Sequence, residues 1–308
     1  MLNLVSTVAY QCLPFAVRPS TVKFSPVTYT IYLNNYCNYS CEFCFLTKRQ
    51  APHETLEFDD FRRIISHPFN GKAYRVTLGG GEPFLHPNLF DFARELKRQG
   101  KYVSVYTNGS LLEGAMEYLQ HGDFDCINVS HYDGRFPGVI PFLREMGVRK
   151  GFPAVRLSKI IRRGDVGRME EMIETALENR IPRLIFKNYQ AQDLGEMDLV
   201  LKKRDAEVEG EIDRLRRKYR RAQLEITWPN LLDPDGPFDC RNTSLNIIYG
   251  PGGTIAPCCF IVPPSLAYGC LFSAADPWNG EAIRKVRRGE AAACTCCYFR
   301  HGLQNRLS

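Results

Sequence analysis

From residue 27 to about 190 the chain switches repeatedly between two hydrophobic periods. VTYTIYLNNY (27–36) is dense in β-branched and aromatic residues and reads as a strand. LEFDDFRRIIS (56–66) has helical spacing, with acidic residues near its start and basic ones later, the order a helix dipole favours. YRVTLGGGEPFL (74–85) reads as a strand ending in glycines, and NLFDFARELKRQG (88–100) as a helix closed by Gly100. YVSVYTNG (102–109) is the next strand, followed by a helix to about 120. FDCINVS (124–130), AVRLSKII (154–161) and RLIFKNY (183–189) continue the strands, with helices near 138–147 and 167–180. Strands alternating with helices of this length imply a parallel sheet with right-handed crossovers. About six such units predict an α/β fold, a partial (β/α)6 TIM-like barrel.

The pattern then changes. Residues 196–221 predict a charged, amphipathic helical stretch whose basic end, 214–221, suits either a solvated face or nucleic acid, the solvated face being preferred. Beyond it the composition shifts to Pro, Gly and Cys. The expected organisation is an amino-terminal arm (1–26), a core (27–195), a helical linker region (196–237) and a cysteine-rich domain (238–308). The arm is apolar but lacks a basic start and is interrupted by Pro14, so a surface arm is preferred to a signal peptide. No run approaches a membrane span, and a cytoplasmic protein is expected.

Composition adds little except in one respect. The 308 residues are 44% hydrophobic and 24% charged with a net charge of +6, an ordinary globular balance that fits many ligands. The 12 cysteines stand out: Cys12, three at 37–44, Cys126, and seven between 240 and 297. Tight groups of cysteines in a cytosolic, enzyme-sized chain read as metal ligands, and two distant groups suggest two sites.

Cys37, Cys41 and Cys44 have CxxxCxxC spacing. Soft thiolates suit iron–sulfur clusters or zinc. Three ligands leave one iron of a 4Fe–4S cube open, whereas a structural zinc site requires a fourth ligand, for which His53 is the nearest candidate. The loop follows the first strand, has Phe43 before its last cysteine, and is followed one β/α unit later by Gly79-Gly80-Gly81-Glu82-Pro83. Together these resemble the radical S-adenosylmethionine (SAM) superfamily. The resemblance implies that the three thiolates hold a 4Fe–4S cluster whose open iron binds SAM, and that reductive cleavage yields a 5′-deoxyadenosyl radical. It also implies that Phe43 lies near the adenine and that backbone carbonyls of the glycine motif receive the SAM amino group. Asn108, in YTNGS, and Ser130, in NVSHYDG, match positions that relatives use towards SAM, although an extra residue before Asp133 loosens the second match. Arg156 is a candidate partner for the SAM carboxylate.

In the tail, the hairpin signal YGPGGTI separates Cys240 from Cys258, and Cys294-Thr-Cys296-Cys297 offers two more thiols. Four such cysteines suit zinc or iron–sulfur alike. The run C-x12-G-x4-C, then PWNGEAIRKVRRG and C-x2-C, resembles the SPASM extension or its shortened twitch form. That likeness implies one auxiliary 4Fe–4S cluster on Cys240, Cys258, Cys294 and Cys297, with Cys259 and Cys296 as alternates. Similar spacing occurs in the radical SAM 2-deoxy-scyllo-inosamine dehydrogenase. Cys12 and Cys270 are expected as ordinary buried thiols. Cys126, within a strand, is a weak candidate hydrogen-atom donor.

The expected activity is hydrogen abstraction leading to oxidation or cross-linking of a peptide or small carbinol in natural-product biosynthesis, an oxidoreductase reaction. The expected partner is an electron donor such as flavodoxin or ferredoxin, with no membrane or nucleic acid. Alternatives are an epimerase acting on a peptide or sugar, and a nucleotide- or RNA-modifying enzyme. CNYSCEFCF, GGEPFL and NGSL also resemble viperin, a nucleotide dehydratase, but the cysteine-rich tail departs from it. The non-enzymatic alternative is a structural zinc protein.

Overall fold

The computed structural model describes residues 19–44, 46, 52–131, 139–148, 153–233, 235–236, 240, 242–258, 270–272, 276–291, 294 and 297. Its chain forms two compact units, Met1–Tyr106 with Phe238–Thr295, and Thr107–Pro237 with Cys296–Ser308.

The first unit begins β1 (Thr28–Tyr32), α1 (Phe58–Ser66), β2 (Arg75–Gly79), α2 (Leu89–Arg98) and β3 (Tyr102–Thr107). β1 pairs in parallel with β2, and β2 with β3. α1 buries Phe61, Ile64 and Ile65, and α2 buries Leu89, Phe92, Ala93 and Leu96, the stripes their three- and four-residue spacing demands. Phe61 and Phe92 stack with ring centres 4.1 Å apart. Each such buried side chain stabilises the fold by roughly 1.5–3 kcal/mol.

The tail contributes to this same sheet. β8 (Asn246–Tyr249) pairs in parallel with β1, and β9 (Ile255–Ala256) returns antiparallel to β8 through the expected glycine turn. A parallel partnership between residues 28–31 and 246–249 has no local signature, and the sequence pattern did not reveal it. Side chains alternate across the pleat, so register sorts them into two faces. One is apolar: Tyr29, Ile31, Val76, Leu78, Val103, Val105, Ile247 and Tyr249 are all nearly fully buried. The other carries Thr28, Thr30, Arg75, Thr77, Tyr102, Ser104 and Asn246, together with the buried Ile248. α7 (Glu281–Arg287) closes the tail. Its buried Arg287 donates to the carbonyls of Ser20 and Thr243 and to Asn279, and lies over the ring of Trp278. Trp278 donates to Phe24, and Asn279 exchanges hydrogen bonds with Val22, so residues 20–24 are stitched to the tail.

The second unit holds α3 (Met116–Leu119), β4 (Cys126–Ser130), α4 (Val139–Val148), β5 (Ala154–Ile161), α5 (Met169–Glu178), β6 (Arg183–Asn188), α6 (Ala206–Tyr219) and β7 (Glu225–Thr227). β4 to β7 are parallel in sequence order. The α/β class with a mostly parallel sheet, expected from the alternation, is what forms. β7 is too short for its pattern to register. The stretch 196–221 is not one helix: Val200 and Leu201 are buried and extended, Asn188 grips both polar groups of Leu201, and α6 starts only where Asp205 caps Val208.

The basic end of α6 turns to acidic residues of α5. Arg214 bonds Glu170 and Glu211, and Lys218 bonds Glu170 and Glu174. Arg214 first, then Lys218, holds the Glu170 carboxyl down to about 2 from its ordinary 4.5. A depressed carboxylate stabilises the fold above its unfolded pKa and loses that contribution as pH falls through the folded value. Thermal stability attributable to Glu170 is therefore present above about pH 4.5 and lost towards pH 2. E170Q should flatten the melting-temperature profile across that window relative to wild type; parallel profiles would show that the hub carries no weight.

Candidate active site

β1 ends at Tyr32 and the chain runs on into Cys37. Its two sides are tied together before and after the loop. Asn34 bridges Thr55, Asn35 exchanges backbone and side-chain hydrogen bonds with Glu54 and Pro52, and Leu56 donates to Leu33 at 2.7 Å. His86 adds a third strand of contact. Its ring lies 3.1 Å from the Leu56 carbonyl and accepts from Asn88 through Nδ1, which assigns the neutral Nε2–H tautomer. Burial keeps this histidine below its ordinary pKa. Inside the clamp, Cys44 N–H donates to the Cys41 carbonyl, and Tyr39 N–H points at the Cys37 sulfur at 3.3 Å. All three cysteines are half-buried, and Phe43 sits in the turn between the last two.

The glycine turn docks onto this loop through the backbone. Gly81 N–H donates to both the carbonyl and the side-chain oxygen of Asn34, Glu82 N–H donates to the Tyr36 carbonyl, and Asn34 Nδ2 returns a bond to the Glu82 carbonyl. A Cβ on Gly80 would stand 2.3 Å from the Asn34 carbonyl oxygen, and one on Gly81 would stand 1.8 Å from that of Tyr36. Gly80 also has φ +132. The glycines were expected for close approach to a ligand; their near neighbour is the chain's own backbone. Glu82 is fully buried and its carboxylate caps the turn Pro83–Leu85 by accepting from Phe84 N–H. Gly79 lies against the Tyr32 ring.

The donor set suits an iron–sulfur cluster: three half-buried cysteines in one short segment that follows a strand, with a backbone N–H directed at one of their sulfurs. The zinc alternative needed His53 to complete it. The His53 ring instead lies 5.2 Å from that of Tyr36, centre to centre.

In the tail, Cys294 packs with Val286 in a small core against which Cys258 and Ala291 lie. Cys240 is pushed up to about 11, chiefly by burial of its thiol and then by Cys258 beside it. Such a pair of thiolates is unfavourable without a cation, which is the condition a metal or cluster satisfies. Cys297 is buried. Cys270 is half-buried, not buried as expected, and its sulfur bonds the Gly252 carbonyl across an edge bridge. Cys12, Cys259, Cys296 and Asp133 lie outside the described residues.

The remaining candidates belong to the second unit. Asn108 spends its side-chain oxygen on Ser110, and Gly109, at φ +82, fits where a Cβ would meet Val139 at 2.7 Å. Register puts Cys126, Asn128, Ser130, Arg156 and Ser158 on one face of this unit's sheet. Ser130 ends β4, where ligands of parallel sheets bind. Cys126 begins it, about 13 Å away at 3.3 Å per residue, a depth that suits a core thiol better than a hydrogen donor.

These features are those of a recognised family. The model described as the Radical SAM superfamily matches residues 31–189, just over half of the chain. The chain belongs to the radical SAM superfamily. The radical SAM fold implies a 4Fe–4S cluster and SAM. A probable GTP 3′,8-cyclase from Sulfurisphaera tokodaii is 26% identical over 167 residues, 50% of this chain and 53% of that protein, so the chain spans about half the length of this relative. SuiB of Streptococcus suis, bound to its precursor peptide SuiA, has a TM-score of 0.66 at 16% identity, covering 89% of this chain and 71% of that one. BtrN in complex with AdoMet and 2-DOIA gives 0.54 at 14% identity, covering 87% and 91%. Likeness at these identities concerns the fold alone. No helix among the described residues is long and apolar enough to cross a membrane.

The docking of glycine turn on cysteine loop predicts a sharp contrast between two alanines. G81A should lower iron content by about four per chain, the complement of one 4Fe–4S cluster. G114A, whose Cβ meets open space, should keep wild-type iron. Wild-type iron in G81A would show that the loop does not depend on the turn.

Proposed function

We propose that this radical SAM enzyme oxidises a small polar substrate bearing a hydroxyl or amine, with an auxiliary 4Fe–4S cluster held by Cys240, Cys258, Cys294 and Cys297. The observation that carries the reading is that Cys258 lies against the small core of Cys294 and Val286 with Cys240 near it, in the same unit that bears Cys37, Cys41 and Cys44. When bound, SAM and its cluster would supply a carbon radical able to take hydrogen from the substrate, and the second cluster would take up the remaining electron. The chain's own part is to bind, orient and exclude water. Cys37, Cys41 and Cys44 would hold the first cluster; the carbonyls of the Gly79–Glu82 turn would receive the SAM amino group; Phe43, Asn108, Ser130 and Arg156 are the proposed further contacts.

Polar side chains on the second sheet face support this substrate class. Thr28 donates to Asn246 at 3.0 Å, and Thr77 and Ser104 share a hydrogen bond of 2.9 Å. Each hydroxyl keeps acceptor capacity after these bonds, and such groups select hydroxyl and amine partners over apolar side chains. A flavodoxin or ferredoxin is the proposed electron source. A second reading, nucleotide modification, is favoured by the sequence relatives, which are probable GTP 3′,8-cyclases. RNA modification is less favoured, because Arg214 and Lys218 of the basic 214–221 stretch are paired with carboxylates.

Anaerobic reconstitution should give a brown protein with about eight irons. Replacing Cys37, Cys41 and Cys44 by alanine should halve the iron and abolish 5′-deoxyadenosine formation. Replacing Cys258 and Cys294 should also halve it, yet leave SAM cleavage intact while product oxidation disappears. Zinc without iron overturns the enzymatic reading; about four irons in wild type overturns the auxiliary cluster; and turnover stimulated by GTP but not by an aminocyclitol moves the assignment to nucleotides.

A further inference from the structure

We propose that Asn34 is a positioning residue for SAM, fixing the aim of the Gly80 and Gly81 carbonyls and coupling that aim to the cysteine loop. The inference rests on the reading of the glycine turn as the amino-group site, and it says how this chain builds that site.

Carbonyl accounting across Gly79–Glu82 leads to it. The Gly79 carbonyl accepts from Leu33 N–H at 2.9 Å. The Glu82 carbonyl accepts from Asn34 Nδ2 at 2.9 Å and from Leu85 N–H at 3.1 Å. The carbonyls of Gly80 and Gly81 accept no hydrogen bond among the described residues. Both glycines are half-buried, so these two acceptors are open to an incoming donor, and an ammonium group offers three.

Their direction is fixed by peptide planarity. In a trans peptide the C=O points opposite to the following N–H. Gly81 N–H is held by two oxygens of Asn34, the carbonyl at 2.9 Å and the side chain at 3.0 Å, so the Gly80 carbonyl must face away from residue 34. Glu82 N–H is held by the Tyr36 carbonyl, so the Gly81 carbonyl faces away in the same manner. Asn34 thus anchors one of the two peptide planes directly. Through Nδ2 it also restrains the Glu82 carbonyl, on the next plane. Its side chain is 1% exposed, which leaves no water to substitute for it. The next two residues lead to Cys37, so any tilt of the turn is registered by the loop.

The test uses full-length, reconstituted enzyme carrying N34D or N34A. N34D is isosteric and keeps the acceptor for Gly81 N–H while losing the donor to Glu82. Iron content and the electron paramagnetic resonance spectrum of the reduced protein without SAM should match wild type in both. The spectral change on adding SAM should shrink, and SAM affinity should fall about tenfold in N34A and at least as far in N34D, where a carboxylate oxygen faces the Glu82 carbonyl. Wild-type affinity and spectral response in both variants would overturn the proposal. So would loss of iron or of folding in both, since Asn34 would then serve the loop's stability alone. If wild type itself shows no spectral response to SAM, the reading of the turn as the SAM site has failed, independently of Asn34.

Discussion

Between the cysteine loop and the glycine turn there is no room for a side chain, and the rest of the site depends on that. Main-chain oxygens of Asn34 and Tyr36 occupy the places where a Cβ of Gly80 or Gly81 would stand. With the glycines in place, three hydrogen bonds donated by backbone N–H groups and one by a side-chain amide lock the two segments in a single register. The loop is thereby held from two directions. The turn grips its start, and the pairing of residues 33–35 with 54–56 closes its base, with His86 spanning from the turn's helix side to Leu56. A loop so constrained pays its ordering entropy in folding, before any metal arrives.

The tail is tied into the first unit at several points. β8 extends the sheet beside β1, and Arg287 joins residues 20–24 to Thr243 and Asn279 around the Trp278 ring. A buried guanidinium without such acceptors would be strongly destabilising. Here three acceptors and an aromatic face offset part of that cost, so the PWNG segment and Arg287 act as one structural element. The cysteines at 240 and 258 flank β8 and β9, so their positions are set by the same strands that place Cys37.

Local features were legible in the sequence and long-range ones were not. β5 occupies residues 154–161 as the pattern predicts, and most other strands and helices lie within a few residues of theirs, because periodicity is a property of neighbours in the chain. The CxxxCxxC loop and the glycine turn were legible for the same reason. The exceptions have specific causes. The 196–221 stretch looked uniformly helical because charge dominates it, but burial of Val200 and Leu201 and the grip of Asn188 impose an extended segment first. Asn34 gave no signal because an asparagine at a strand's end is unremarkable until its partners, 47 and 48 residues away, are known. Glu82 was read with a cofactor motif, and its carboxylate has a structural duty as well, capping the turn that carries it.

The contrast extends to recognition. Radical initiation needs thiolates and glycines at fixed short spacings, since one loop and one turn must each present several groups to a single ligand. The polar side chains of the sheet are brought together by strand register instead. Thr77 and Ser104 are 27 residues apart and share a hydrogen bond, while Thr28 reaches Asn246 across 218 residues. Each of these residues is unexceptional in its own strand, where a threonine or serine is simply the outward half of an alternating pattern. The Thr28–Asn246 pair forms only when β8 is set beside β1, which makes the tail a contributor of polar side chains to this sheet face as well as the holder of cysteines.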